Sequence, residues 1–114
     1  MPQALASSRT GVVRRDPALA RLERKAGDAA QLLKLLANEK RLLVLCRLAM
    51  DGEVTVSDLA ESIDLSQSAL SQHLAKLRDD KLVATRRDGQ SVHYRIADAN
   101  AARLLATLKD IYCA

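Results

Sequence analysis

Apolar residues recur every three or four positions along the first half of this chain, which is the spacing of one face of a helix. One such segment runs over Ala18–Ala37, and Pro17 suits the first position of its helix. Asn38 is suited to N-cap a second helix over Glu39–Met50, which Asp51–Gly52 would end. The pattern therefore predicts that two helices open the folded part of the chain.

A short helix and a closely following one are predicted next. Ser57 is expected to cap the first, over Asp58–Ile63, and Ser66 the second, after the tight connection Asp64–Leu65. In the second helix three leucines at i, i+4 and i+7 form one apolar stripe: Leu70, Leu74 and Leu77. Two short helices joined by a tight turn indicate a helix-turn-helix, in which the second helix reads DNA.

The polar face of that second helix supports this interpretation. Opposite the leucines it carries the hydroxyls and the amide of Ser68, Ser71 and Gln72, with no acidic residue before Asp79. Such a face can lie close to a polyanion, and its side chains suit base edges and phosphate oxygens. It predicts a DNA recognition helix; a polar surface helix without a specific function is the alternative.

A β-hairpin is predicted after this helix. Two strand-like segments, Leu82–Arg87 and Ser91–Ile96, flank the turn sequence Asp88–Gly89. The tip of the hairpin carries Arg86, Arg87 and Gln90. A basic tip beside a recognition helix indicates the wing of a winged helix, whereas a purely structural hairpin is the alternative.

The remaining segments complete the predicted fold. Val54–Val56 could pair as a short strand, and a last helix over Asn100–Cys113 would carry five apolar residues on one side: Leu104, Leu105, Leu108, Ile111 and Tyr112. The fold class is therefore mainly α with a small β-hairpin wing, a winged helix-turn-helix. Residues 1–16 lack periodicity and are expected to form a flexible N-terminal arm, and residues 17–114 a DNA-binding and dimerisation domain.

Composition narrows the functional classes. The formal charge of +4 fits a nucleic-acid partner. No apolar run approaches the ~20 residues of a membrane span, and two cysteines are too few for a disulfide framework, so a cytoplasmic protein is expected. No nucleophile–base pair, phosphate loop or set of paired carboxylates is recognisable, so we expect neither an enzyme nor a bound cofactor.

At this point the chain resembles the arsenic-repressor (ArsR) family of bacterial winged-helix repressors, over about residues 30 to 113. The resemblance is carried by SQSALSQHLAKL and then LVATRRDGQSVHYRI. It implies a homodimer, joined through the first and last helices, that represses an operon by binding an inverted repeat in double-stranded operator DNA. By motif position it also implies DNA contacts from the recognition helix and the wing: Gln67, Ser68, Ser71, Gln72, Arg86, Arg87 and Gln90.

The inducer must be argued from this chain, because members of the family sense different things. Metal sensors of the family carry paired cysteines at the start of the first helix of the helix-turn-helix, or Asp, His and Glu ligands on the last helix. Here Glu53–Leu59 holds no thiol and the last helix holds no His. The chain is instead similar to the persulfide- and redox-sensing branch, which implies that Cys46 and Cys113 form a reactive pair.

Three hypotheses remain open. In the first, bridging of the two cysteines by reactive sulfur or an oxidant releases DNA. In the second, Cys46 and Cys113 are ligands of a metal-responsive repressor, although two thiolates leave a tetrahedral ion short of ligands. In the third, the chain is a non-sensing architectural DNA binder or a protein-interaction module, and Cys46 is a small core residue of an apolar helix.

Overall fold

A computed structural model describes residues 16–113, so residues 1–15 of the predicted arm lie outside the described part. The chain is mainly helical, with one three-stranded antiparallel sheet, which confirms the predicted winged helix-turn-helix. In chain order the elements are α1 (Pro17–Leu36), α2 (Glu39–Asp51), β1 (Glu53–Thr55), α3 (Val56–Ser62), α4 (Gln67–Asp79), β2 (Val83–Asp88), β3 (Ser91–Ile96) and α5 (Ala99–Tyr112).

The chain divides into two units, one ending at Gln31 and the other beginning at Leu32. In the first unit, the opening turns of α1 expose Leu19 and Leu22 over half of their surface, 50% and 55%. The second unit contains the end of α1 and every later element. The packing and the sites described below all lie within it.

Polar side chains cap four helices in residues 16–113, and the cap of α5 is Asp98. The Asn38 side chain accepts a hydrogen bond from the Arg41 N–H at 3.0 Å, and Ser66 caps α4, so both predicted N-caps are confirmed. The prediction of Ser57 as the cap of α3 is wrong. Thr55 has the extended backbone of an N-cap, and its hydroxyl accepts from the Asp58 N–H at 3.1 Å, so α3 begins at Val56.

The sheet has the order β1-β3-β2, with β3 in the middle. The predicted hairpin pairs Val83 with Ile96 and Asp88 with Ser91, and Gly89 adopts the positive φ of 62° that its turn requires. The short segment after α2 is also a strand, because β1 pairs with β3 through Val54 and Tyr94. Alternation along the strands then gives the sheet one buried and one exposed face.

The core lies between the helices and the buried face of the sheet. The leucine stripe of α4 is fully buried, at 0%, 2% and 0% exposure for Leu70, Leu74 and Leu77, as the pattern predicts. In α5 only part of the predicted apolar side is buried. Leu105 is 2% exposed, whereas Ile111 and Tyr112 are 62% and 80% exposed. The apolar side of α5 therefore extends beyond the part that the same chain buries.

In residues 16–113 no helix is both long and apolar enough to cross a membrane.

Candidate functional site

The face of α4 opposite its buried leucines is open to solvent. Gln67, Ser68, Ser71 and Gln72 are all exposed. Within residues 16–113 no hydrogen bond or ion pair engages these four side chains, so their donors and acceptors are available to a partner. They stand in the first two turns of a capped helix, which is the part of a recognition helix that contacts base edges.

One residue behind this face is His73, which is partly buried in α4. Burial lowers the pKa of its imidazole, and the positive charge of Arg41 lowers it further. A lowered pKa keeps this side chain neutral at pH 7. His73 therefore adds no charge to α4 at neutral pH.

The two wing arginines have different surroundings. The Arg86 guanidinium forms a bidentate ion pair with Glu53 of β1, with Nη2 2.7 Å from Oε1 and Nε 3.3 Å from Oε2. Arg87 is exposed, and no ion pair involves it in the part of the chain that the structure describes. Gln90 is exposed at the tip of the hairpin.

Glu53 is a functional candidate that the sequence analysis missed. Hydrogen bonds from Arg86 lower the pKa of its carboxyl group, and the charges of Arg86, His93 and Arg95 lower it further. His93 Nδ1 lies 3.8 Å from Oε1 of the same carboxylate. The sequence places one carboxylate on β1 and three basic residues on the other two strands. Only the strand register shows that these side chains lie close together.

A groove of about 850 Å³ lies between α2 and α5, and we call it the dithiol groove. Both cysteines line it, one from α2 and the other at the residue that follows α5. Its walls are mostly apolar, and three charged residues also line it: Glu53, Arg95 and Lys109. The structure therefore brings Cys46 and Cys113 into one apolar groove.

The two thiols are free and differ in exposure. Cys46 is half-buried and packs against the core, whereas Cys113 is exposed. Burial raises the pKa of the Cys46 thiol, and the nearby charge of Cys113 raises it further. A modification of Cys113 therefore takes place in the groove that Cys46 also lines.

The groove offers few ligands for a metal ion. Nowhere in residues 16–113 do three or more His, Cys, Asp or Glu side chains come together in an arrangement that could hold one. A tetrahedral thiophilic ion uses four ligands in a structural site and three protein ligands in a catalytic site. The two thiols of the groove would leave such an ion with two ligands from this chain.

Comparisons with known proteins agree with this description. The family model described as "Bacterial regulatory protein, arsR family" matches residues 38–85. The chain is 44% identical to the transcriptional activator HlyU of Vibrio cholerae, over 83% of this chain and 87% of that protein. A structure of reduced HlyU from the same organism superposes with a TM-score of 0.78, at 42% identity, over 82% of this chain and 98% of the other.

A solved repressor gives a similar result. The structure of the transcriptional repressor BigR from Xylella fastidiosa is similar at a TM-score of 0.77 and 39% identity, over 83% of this chain and 96% of that one. These relatives are named as regulators of transcription and not as enzymes, in agreement with the expectation from the sequence. The chain therefore belongs to the ArsR family of bacterial regulatory proteins.

Proposed function

We propose that the protein is a homodimeric transcriptional repressor that leaves its operator when Cys46 and Cys113 become bridged. The observation that carries this proposal is that both thiols line one groove, the first anchored against the core and the second exposed at the end of α5. Such a pair combines an accessible thiol that can react first with a positioned thiol that can resolve the product.

The exposed thiol starts the reaction. The Cys113 thiolate attacks the outer sulfur of a persulfide RSSH, which gives Cys113–S–SH and releases RS⁻. The Cys46 thiolate then attacks the inner sulfur of Cys113, which forms a Cys46–Cys113 disulfide and releases HS⁻. With hydrogen peroxide the first product is the Cys113 sulfenic acid, and the attack of Cys46 displaces hydroxide.

A longer bridge forms when both thiols are modified. If Cys46 then exchanges with a disulfide RSSR to give Cys46–S–S–R and RS⁻, the terminal sulfur of Cys113–S–S⁻ attacks the Cys46 sulfur. This step releases a second RS⁻ and leaves a trisulfide between the two cysteines. A direct disulfide needs Cα atoms about 4.4 to 6.8 Å apart, whereas an additional sulfur atom tolerates a wider groove.

The bridge acts on DNA binding through α5. The end of this helix exposes Ile111 and Tyr112, and α2 exposes Leu43 and Met50 in the same unit, at 45% and 64%. Exposed apolar residues of this size support a second copy as the partner of α5. Bridging ties α5 to α2 and changes the angle between the two recognition helices, which must match half-sites about 34 Å apart.

BigR is named as a repressor, which supports repression by this chain, whereas HlyU is named as an activator. One HlyU structure is described as the reduced form. In a reducing cytoplasm both thiols of this chain would stay free, and the dimer would hold its operator. The open face of α4 would then read base edges through Gln72 and Ser68.

Mass spectrometry combined with operator binding tests the switch. The reduced protein is treated separately with a persulfide donor, an organic disulfide and hydrogen peroxide, and peptides that contain Cys46 and Cys113 are analysed. A cross-link that forms in step with the loss of operator affinity supports the proposal. Full retention of operator affinity by the cross-linked protein contradicts it, and loss of affinity on addition of a metal ion to the reduced protein favours the metal-responsive alternative.

Substitution of the recognition helix tests the DNA-binding half. Gln72→Ala and Ser68→Ala should each weaken operator binding by about 1 to 3 kcal/mol, the usual value of a good base contact, and leave the dimer and the fold intact. Competition between operator and random DNA measures the effect. An unchanged ratio of specific to non-specific affinity in both variants would show that α4 does not read the sequence.

A further inference from the structure

We infer that Glu53 is a positioning residue of the wing, which holds Arg86 against the sheet and leaves Arg87 as the wing arginine that contacts DNA phosphate. The inference rests on the proposed binding of DNA by the recognition helix and the wing. It separates two neighbouring arginines that the sequence presents as equivalent, and it gives Glu53, which also lines the dithiol groove, a role in the wing.

The Glu53–Arg86 ion pair spans the whole sheet. Glu53 lies on the edge strand β1 and Arg86 on the other edge strand β2, with β3 between them. Neighbouring strands are about 4.8 Å apart, so the side chains meet across roughly 10 Å, above His93 and Arg95 of β3. Two nitrogens of the guanidinium reach the carboxylate, at 2.7 Å for Nη2 and 3.2 Å for Nε to Oε1.

A bidentate pair of this kind fixes geometry as well as charge. It connects the hairpin to β1, whose last residue caps α3, the first helix of the helix-turn-helix. β1 otherwise holds the sheet through only three residue pairs with β3. Arg86 and Glu53 therefore add a side-chain connection between the wing and the body that carries the recognition helix.

Strand alternation places Arg87 on the opposite face from Arg86. The face of Arg87 also carries Val83 and Tyr94, which are buried at 3% and 8% exposure in the same core cluster as Leu74 and Leu77 of α4. Arg87 thus lies on the side of the sheet that packs toward the recognition helix, beyond the end of the core. Since Arg87 is exposed and Arg86 already binds a carboxylate, Arg87 is the better placed of the two to bind phosphate.

The inference and a simple charge argument predict opposite changes in DNA affinity for Glu53→Gln. Glu53→Gln removes a negative charge close to the proposed DNA surface, so long-range electrostatics alone would tighten binding to DNA. If Glu53 positions the wing, the same substitution releases Arg86, loosens the hairpin and weakens binding. The direction of the change in affinity distinguishes the two effects.

Salt-dependent binding of the full chain to operator DNA, followed by fluorescence anisotropy, measures the roles of the arginines. Arg87→Gln should reduce the slope of log K against log salt by about 0.9, the value for one neutralised phosphate. Arg86→Gln and Glu53→Gln should leave this slope unchanged and weaken binding about fivefold, a typical coupling between two linked elements. Glu39→Gln, an exposed carboxylate at the start of α2, is the matched control and should change neither quantity.

A charge swap completes the test. Glu53→Arg and Arg86→Glu should each weaken binding, and the double variant should recover most of the affinity, because the ion pair re-forms with its charges exchanged. If Arg86 contacts phosphate directly, the double variant stays as weak as Arg86→Glu alone, and the inference is overturned. It is also overturned if Arg86→Gln lowers the salt slope as much as Arg87→Gln does.

Two measurements keep this result separate from the proposed function and from misfolding. If the parent protein shows no preference for any operator, the proposed function fails before the variants are compared. Circular dichroism confirms that each variant is folded, and Arg86→Lys keeps the charge but loses the bidentate geometry. Arg86→Lys should therefore behave like Arg86→Gln, whereas parental affinity in this variant would overturn the inference.

Discussion

Bridging Cys46 to Cys113 should make the protein more stable and a weaker DNA binder at the same time. The bridge closes a loop of roughly 70 residues, for which the chain-entropy model gives a stabilisation of about 4 kcal/mol before any strain is subtracted. In a domain of this size, 1 kcal/mol shifts the melting temperature by about 4 to 8 °C. Even half of the entropic value would therefore raise the melting temperature by about 8 to 16 °C.

The structure holds the two cysteines with different firmness. Cys46 is held by its packing against the core, but Cys113 lies just past α5, with its N–H bonded to the Lys109 carbonyl at 2.8 Å. An exposed residue at a helix end can move toward its partner at the cost of one backbone hydrogen bond, which contributes about 0.5 to 1.5 kcal/mol. Most of the entropic gain should therefore remain.

The expected loss of operator affinity corresponds to a smaller free energy than the stabilisation by the bridge. A coupling between two sites is typically 1 to 3 kcal/mol, which is about 5- to 150-fold in affinity. Thermal melts and fluorescence anisotropy with labelled operator, on the same sample before and after treatment with a persulfide donor, measure both effects. Protomer concentration must be held constant, because the melting temperature of a dimer depends on it.

Single-cysteine variants provide the controls. Cys113→Ser and Cys46→Ser should each lose both responses and stay bound to the operator after treatment, since a bridge needs both thiols. Cys46→Ala is the second variant at the half-buried position, where a serine hydroxyl would need a hydrogen-bond partner. If Cys113→Ser still releases the operator like the parent, or if the bridged parent is less stable than the reduced one, the dithiol mechanism is wrong.

Local hydrogen bonds and burial lead to three other predictions. Ser66→Ala removes the N-cap of the recognition helix and should lower the free energy of unfolding by about 1 kcal/mol in denaturant titrations, together with operator affinity. Arg41→Gln removes a guanidinium hydrogen bond to the Leu35 carbonyl at 2.8 Å and should lower the free energy of unfolding by about 1 to 2 kcal/mol. Arg47→Gln breaks an exposed ion pair within α2 and should lower it by less than about 0.5 kcal/mol. Because burial in the folded protein raises the pKa of Cys46 above its ordinary value of 9.0, the contribution of this thiol to the free energy of unfolding should be constant below that pH. It should fall as pH rises from there to the raised value, and Cys46→Ala should lose this fall.

The helix-turn-helix could be predicted from the sequence because its signals are local. The caps Asn38 and Ser66 and the leucine spacing of α4 depend on residues three to seven positions apart, and the structure confirms each of them. The wrong cap of α3 also had a local signal. Thr55 stands three residues before Asp58, the spacing of a capping box, but Ser57 lies closer to the apolar run and competes for the same role.

The Glu53–Arg86 pair could not be predicted in the same way. Its partners are 33 positions apart, and they meet only because β3 lies between β1 and β2 in one register. A shift of that register by one residue would move Arg86 to the other face of the sheet. The carboxylate that distinguishes the two wing arginines is therefore a property of the sheet topology and not of the basic tip as a sequence motif.

The first and last helices carry more apolar residues at helical spacing than the core of one chain buries. In α5 the residues that face the core, Ala101 and Leu105, are buried, while Ile111 and Tyr112 continue the apolar pattern into solvent. In α1 the pattern likewise begins at Leu19, far ahead of the buried Leu35. The periodicity of apolar residues shows that a helix face is apolar. It does not show whether that face is covered by the same chain or by another. On α5 the exposed apolar surface therefore supports the proposed second copy as the partner of this helix.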